Sequence, residues 1–209
     1  MNKKVFDISP AITSQMAVFP GDTAFNRKKL MSFDQGHHLE LSTINTTVHL
    51  GAHADAPIHY HADGVGIGER NLNYYLGECQ VIHCHKKRGE RILLEDIARH
   101  KITAQRVLFR TGSFPDPNNW NGDFNSLSPE LIDYLSSRKV ITVGIDTPSI
   151  DPADDEEMIT HKMIFDKNMA ILEGIVLENV PEGLYELIAL PLKISGADAS
   201  PVRAILREL

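Results

Sequence analysis

The sequence predicts an α/β fold built around a substantial mixed sheet. Short apolar and β-branched runs, most of them bounded by Gly, Pro, Asn or Asp, outnumber the segments with a helical pattern. Hydrophobic residues make up 42% of the 209 residues, which is enough for a sizeable core. No stretch has the composition of a linker, so we expect a single domain over residues 1–209.

Strands are expected throughout the first half of the chain. "VFDIS" (5–9) ends at a proline, and "VFPGDTAF" (18–25) contains a Pro-Gly-Asp turn signal. "LSTINTTVHL" (41–50) is rich in β-branched residues and predicts a strand that continues directly into the next segment. "ECQVIHCH" (78–85) and "RVLFRTG" (106–112) predict two more strands.

The second half combines helices with buried strands. Ser128 as N-cap and Pro129 as first residue predict a helix that leads into a strand. "DDEEMITHKMIF" (154–165) predicts a second helix with acidic residues in its first turn. "PDPNNWNGDFNS" (115–126) predicts a surface loop. Three apolar runs predict buried strands: "VITVGI" (140–145), "MAILEGIVL" (169–177) and "LIALPLKI" (187–194).

Charge and composition exclude several classes of protein. A net charge of −7 and a pI near 5.8 argue against nucleic-acid binding, which needs a basic surface. No run approaches the roughly 20 apolar residues of a spanning helix, and no signal peptide is recognisable. Cys79 and Cys84 are too few for a disulfide framework. We therefore expect a cytoplasmic protein with no nucleic-acid or membrane partner.

The segment "HLGAHADAPIHYH" (49–61) contains most of the candidate metal-binding residues. Taken as a strand, residues 49–59 place every polar side chain at odd positions, namely His49, His53, Asp55 and His59. The even positions are all apolar: Leu50, Ala52, Ala54, Ala56 and Ile58. This alternation predicts one packed face and one face of imidazole and carboxylate groups.

A straight strand could not bring this polar face together. It would separate His49 from His59 by roughly 33 Å. Gly51 and Pro57 allow the chain to bend, so that His49, His53 and Asp55 can meet at a metal, with His59 turning back as an outer group. Imidazole and carboxylate ligands suit zinc, manganese or ferrous iron, whereas calcium prefers oxygen throughout.

A second metal ion would need ligands from elsewhere. Asp55 has two oxygens and could bridge two ions. His161 in "EEMITHKM" and Glu173 in "AILEGI" are the candidates for the remaining ligands. Glu173 is the more informative, because a charge within a buried strand has to be paired or ligated.

Other interpretations of the histidines remain open. Single histidines are commonly hydrogen-bonded core residues, and we expect the following to lie at the surface or outside the ligand set: His37, His38, His61 and His100. A structural zinc site could use Cys79, His83, Cys84 and His85, but strand alternation places Cys84 on the opposite face from the others. These cysteines are therefore expected in the core.

Two other enzyme classes fit less well. A ferrous facial triad could use His53, Asp55 and His161 in an oxygenase. Such enzymes that use 2-oxoglutarate need an arginine soon after the distal histidine, and the next arginine here is Arg203. The G-x-S-x-G signature of serine hydrolases is absent.

The metal motif resembles a known family signature. Residues 49–59 have the form H-x-G-x-H-x-D-x-P-x-H, which resembles the signature of the cyclase-like metal-dependent hydrolases. Within that family the chain is similar to the bacterial kynurenine formamidases, or arylformamidases, over essentially its full length. The similar blocks include "DISPAI", "VFPGDTAF", "LFRTGS", "GIDTPSIDP", "THKMIFDKNMAILEGIVLENV" and "LPLKISGADASPVRAIL".

The resemblance implies a swivelling β/β/α fold, a homodimer and a site with two zinc ions per subunit. His49, His53 and Asp55 would hold one zinc. Asp55 would bridge to the second, His161 would complete it, and Glu173 would contact both. The implied reaction is hydrolysis of N-formyl-L-kynurenine to L-kynurenine and formate in tryptophan degradation.

The resemblance also assigns the remaining roles. His59 would transfer protons while hydroxide attacks the formyl carbon, and Phe19 would line the aromatic ring of the substrate. Many relatives have tryptophan at this position, and phenylalanine keeps the stacking surface without the indole N–H. The alternative within the family is hydrolysis of another amide or lactam of the isatin type, with manganese as a possible metal.

Overall fold

A nine-stranded mixed sheet runs through the computed structural model, which describes residues 3–209. In spatial order its strands are β1 (Val5–Asp7), β13 (Ile205–Glu208), β11 (Gly183–Ile188), β5 (Leu76–His83), β7 (Arg106–Arg110), β9 (Thr142–Ile145), β10 (Ala170–Glu173), β4 (His53–Asp55) and β12 (Ala199–Pro201). Two smaller pairs lie outside it: the hairpin of β2 (Asn26–Met31) and β3 (Leu41–Asn45), and the parallel pair β6 (Arg91–Ile92) and β8 (Ser126–Leu127).

The centre of the large sheet is parallel and is covered by helices on one face. β5, β7, β9 and β10 are parallel neighbours. Helix α1 (Pro129–Ser137) connects β8 to β9, and α2 (Ile159–Asp166) connects β9 to β10. Leu131 and Ile164 pack with Val143 in a fully buried core on this face. Parallel strands need such crossovers, and both faces then become apolar.

The opposite face is buried because the sheet curls on itself. Ala54 of β4 lies in the same core as Leu108, Leu187 and Leu206. β4 and the strands β11 and β13 are far apart in the strand order, so only a curled sheet can bring their side chains together. The predicted α/β fold with a substantial mixed sheet is confirmed.

The first predicted helix begins as its sequence indicates. Ser128 has extended backbone angles, and its hydroxyl accepts a hydrogen bond from Leu131 N at 3.2 Å. Pro129 is the first residue of α1, where its missing N–H costs nothing. Among residues 3–209, no helix has the length and apolar character that crossing a membrane requires.

The second predicted helix begins later than its acidic residues suggest. Residues 154–157 form turns, and α2 starts at Ile159 after Met158, whose φ of 50° is not helical. The Asp155 carboxylate accepts hydrogen bonds from Glu157 N and Met158 N and so stabilises the turn. The prediction of acids in the first turn of α2 is therefore wrong.

Some strand predictions also extend beyond the observed strands, as the run over 169–177 does beyond the end of β10 at Glu173. The strand predicted over 41–50 ends at Asn45 and pairs in the hairpin instead of continuing into the metal motif. The strand predicted over 187–194 is β11, which ends at Ile188. The chain beyond it leaves the sheet, and Leu190 and Leu192 are exposed. An apolar run alone did not locate these ends.

Candidate metal centre

Residues 49–61 bend at the two positions that the sequence indicates. Gly51 has a φ of 56°, and a Cβ there would lie 3.2 Å from Met16 Sδ. Only three residues, His53–Asp55, form strand β4, and Pro57–His59 then form a 3-10 turn. Both bends bring the ends of the segment back toward Asp55.

The predicted alternation holds up to the second bend. Leu50, Ala52, Ala54 and Ala56 are all buried, as expected for the packed face. Ile58 is 42% exposed, so its predicted burial is wrong. It lies in the 3-10 turn, where alternate residues no longer share a face.

Strand pairing places a carboxylate opposite the histidines. β10 runs antiparallel to β4 with Glu173 in register with His53. His53 Nε2 lies 3.3 Å from Glu173 Oε2 and 3.4 Å from Asp55 Oδ1. Glu173 Oε1 also accepts a hydrogen bond from Ile150 N at 2.7 Å, which holds this side chain in place.

Helix α2 contributes His161 to the same cluster. His161 Nε2 lies 3.5 Å from Asp55 Oδ2 and 3.5 Å from Glu173 Oε1. The two oxygens of Asp55 therefore face different histidines, since Oδ1 lies near His53 and Oδ2 near His161. Such a carboxylate has the arrangement that bridging two ions would need.

His49 and His59 lie on the outer side of the cluster. His49 Nδ1 is 3.1 Å from Asp55 Oδ1, and the centres of the His49 and His59 rings are 4.2 Å apart. The side chain of His59 is 31% exposed, whereas His53 and His161 are buried. The structure thus brings together all five predicted ligands and the predicted proton-transfer residue.

Hydrogen bonds fix the orientation of the two buried imidazoles. His53 Nδ1 lies 2.9 Å from Gly51 O, and His161 Nδ1 lies 2.8 Å from Asp151 Oδ2. Each Nδ1–H donates to these acceptors, so a neutral ring would direct its Nε2 lone pair toward the carboxylates, as a metal ligand requires, whereas a protonated ring would direct an N–H there. Sequence reasoning missed Asp151, although it lies ten residues before His161 in "SIDP".

The donor set fits a cation. His53 Nε2 and both oxygens of Asp55 are buried and make no hydrogen bond. When the His53 ring is neutral, its Nε2 lone pair and a carboxylate oxygen are both acceptors, so neither can satisfy the other. Each buried unpaired group costs about 1–3 kcal/mol, and a divalent metal among them would remove that cost. His53, Asp55 and Glu173 lie close enough to share one ion, and so do His49, Asp55 and His59.

Neighbouring histidines lower the pKa of both carboxylates, Asp55 and Glu173, against the effect of burial. Burial raises the pKa of Asp55, but the His161 and His49 rings outweigh it and lower this pKa well below its usual value. Burial lowers the pKa of His49, but Asp55 raises it to about 9. In the absence of metal, protonated histidines thus supply the positive charge that the carboxylates require. Burial lowers the pKa of His59, aided by its cationic neighbours.

The cluster opens into a cavity of about 950 Å³. Phe19, the predicted substrate contact, lies in its wall and is 40% exposed. Its ring packs edge-on against Trp120 at 5.0 Å, so the loop predicted over 115–126 forms part of this wall and is not simply a surface loop. Sequence reasoning also missed Asp198, whose Oδ2 lies 3.0 Å from His49 Nε2.

A buried histidine–carboxylate cluster beside a cavity is the arrangement expected of a metal-dependent enzyme. Comparison with known proteins identifies the family. The family described as "Putative cyclase" matches residues 6–152, so the chain belongs to the cyclase family.

Individual relatives agree with this assignment. A kynurenine formamidase of Delftia acidovorans is 44% identical over 211 residues, covering 100% of both chains. A structure described as a potential metal-dependent hydrolase with cyclase activity is similar with a TM-score of 0.86 and 30% identity, over 99% of this chain and 98% of the other. Isatin hydrolase A from Labrenzia aggregata has a TM-score of 0.85 over 99% of this chain and 94% of its own, and at 23% identity it shows the fold alone.

Proposed function

We propose that this protein hydrolyses aryl formamides, and specifically N-formyl-L-kynurenine to L-kynurenine and formate in tryptophan degradation. The observation that carries this proposal is the buried set of unpaired acceptors at His53 and Asp55, which opens into a cavity with an aromatic wall. The full-length similarity to a kynurenine formamidase supports the choice of substrate.

The cofactor in this proposal is zinc, with two ions per chain. His49, His53 and Asp55 would hold one ion; Asp55 and His161 would hold the other, with Glu173 contacting both. Bound zinc supplies positive charge that polarises a carbonyl oxygen and acidifies water. Asp151 holds the His161 ring through Nδ1, and Gly51 O holds the His53 ring, so both Nε2 atoms keep their direction.

His59 is the proposed proton-transfer residue. It is the most exposed histidine of the cluster and lines the cavity, whereas His53 and His161 are buried. Its lowered pKa leaves the ring neutral near pH 7, so it can accept a proton from the attacking water. It then returns that proton to the departing aniline nitrogen, which leaves as a neutral amine. Asp198 Oδ2, at 3.9 Å from His59 Nδ1, favours the protonated ring between these steps.

The substrate assignment is tested by assaying two substrates on the same zinc-loaded sample. We expect stoichiometric formate and L-kynurenine from N-formyl-L-kynurenine, and little or no ring opening of isatin. Efficient isatin hydrolysis without formate release would contradict the proposal in favour of a lactam hydrolase. The cytoplasmic location and the homodimer are also predictions, and sedimentation of the purified protein tests the dimer.

A further inference from the structure

Four packed aromatic rings form a wall on one side of the cavity, and three of them line it directly. This aromatic wall consists of Phe19, Phe114, Trp120 and Phe124. Trp120 is its centre, with ring-centre distances of 5.0 Å to Phe19, 5.9 Å to Phe114 and 5.9 Å to Phe124. All three contacts are edge-to-face, the geometry that aromatic quadrupoles favour.

The wall is anchored by hydrogen bonds on two loops. Ala17 N donates to Pro117 O at 2.9 Å, which ties the loop of Phe19 to the loop of Trp120. Asn121 Nδ2 donates to Ser113 O at 3.1 Å, and Asn125 N donates to Ser113 Oγ at 2.8 Å. Phe124 is 2% exposed and closes the base of the wall. A ring held in this way loses little conformational entropy when it binds a ligand.

The wall and the metal centre share one cavity. Phe19, Phe114 and Trp120 line it together with His53 and His161. One cavity thus offers an aromatic surface for a planar ring and the cluster for its formamide group. Aromatic pairs of suitable geometry gain about 0.5–1.5 kcal/mol beyond the burial of their area, and a saturated ring lacks this gain.

We propose that Trp120 determines specificity for aryl substrates by packing against the aromatic ring of the formamide. This inference rests on the proposed function and adds a residue to it that the sequence motif does not include. Phe19 provides the second, more exposed ring of the same subsite. The ligands of the subsite are planar anilines and their N-formyl derivatives, and the metal cluster acts on the formyl group that projects from the ring.

Steady-state kinetics separate binding by Trp120 from chemistry. Trp120→Leu should raise KM for N-formyl-L-kynurenine about 10-fold while kcat changes less than about 2-fold, because the leucine keeps apolar volume but loses the ring. Trp120→Phe should recover most of the loss. Phe33→Leu is the matched control, since Phe33 is 63% exposed and does not line the cavity. An unchanged KM in folded Trp120→Leu, or a fall in kcat alone, would overturn the proposal.

Fluorescence gives a test that needs no turnover. Trp120 is the only tryptophan of the chain, so its emission reports on this position alone. We expect L-kynurenine to protect Trp120 of the zinc-loaded protein from quenching by acrylamide, after correction for absorbance with free tryptophan, and cyclohexylamine to give no protection. Equal quenching with and without L-kynurenine would refute the subsite.

The two tests distinguish the subsite from the reaction. Protection of Trp120 without formate release would retain the aryl subsite and refute the proposed function. Formate release with a wild-type KM in Trp120→Leu would retain the function and refute the role of Trp120.

Discussion

Two histidine-rich segments of this chain adopt different backbone conformations. In residues 49–61 the chain bends at Gly51 and again at Pro57, and only three residues between the bends form a strand. Residues 79–85 lie mostly within β5, a continuous strand of eight residues. Both segments contain the residue types that bind zinc, but among the described residues only the first segment places such side chains close enough to share an ion.

The second segment disperses its candidate ligands because regular strands alternate. Cys79 is buried in the core on one face of the sheet and Cys84 in the core on the other. His83 Nε2 lies 2.8 Å from Val180 O, which engages that nitrogen, and His85 is exposed. Backbone bends and a buried carboxylate from a neighbouring strand therefore bring the candidate metal ligands together, whereas a high density of such residues alone does not.

The largest expected effect comes from removing the central carboxylate of the first segment. Asp55→Asn keeps the side-chain volume but removes the charge that faces His49, His53 and His161. We expect zinc affinity and activity both to fall by more than roughly 10²-fold, which is the loss typical of removing a residue that only hydrogen-bonds to a ligand. Equilibrium dialysis and formate release measure the two effects.

Asp63→Asn is the matched control for that variant. Asp63 is exposed, lies just after the same segment and does not line the metal-site cavity. It should keep wild-type zinc content and turnover. Full zinc occupancy in Asp55→Asn would refute the assigned role of the cluster.

The next largest effect should appear at His59 and should spare the metal. His59→Ala removes the proposed proton-transfer group at the edge of the cluster, so turnover should fall roughly 10²–10⁴-fold. Both zinc ions should remain, as measured by elemental analysis. Loss of one ion in this variant would make His59 a ligand, together with His49 and Asp55, which lie within reach of the same ion.

A smaller effect is expected at the residue that orients His161. Asp151→Asn weakens the hydrogen bond to His161 Nδ1, so zinc affinity should fall about 10–100-fold and excess zinc should restore most of the activity. Asp154→Asn is the control, because Asp154 is exposed in the same turn. Unchanged affinity in Asp151→Asn would show that the orientation of His161 is fixed by other contacts. Asp151 also accepts a hydrogen bond from Thr160 N in the first turn of α2. Thermal unfolding of the variant checks that it stays folded.

The smallest effect concerns the second segment. Burial raises the pKa of both Cys79 and Cys84 to about 12, so neither forms a thiolate near neutral pH. A thiol reagent such as DTNB should label no cysteine in the native protein at pH 8 and two after unfolding. The double variant Cys79→Ala/Cys84→Ala should keep its zinc content. Rapid labelling of the native protein would contradict the burial of these cysteines, and zinc loss in the double variant would assign metal to this segment.

Much of the candidate site could be predicted because its residues lie in recognisable local patterns. The alternation of residues 49–59 and the single acid Glu173 within an apolar run can both be recognised in the sequence. Asp151 and Asp198 have no such pattern, since they meet the histidines only through the start of α2 and through β12, which pairs with β4. The end of β3 and the start of α2 were missed for a similar reason. Hairpin pairing determines where β3 ends, and the Asp155 carboxylate stabilises the turn before α2.

In the proposed function, the bent segment of residues 49–61 builds a centre for two metal ions. The most direct test is elemental analysis of the wild-type protein after loading with zinc and removal of free metal by gel filtration. We predict two zinc ions per chain, with neither lost in the Cys79→Ala/Cys84→Ala variant. A wild-type protein that retains no zinc, or a count that falls only when the cysteines are removed, would contradict the account.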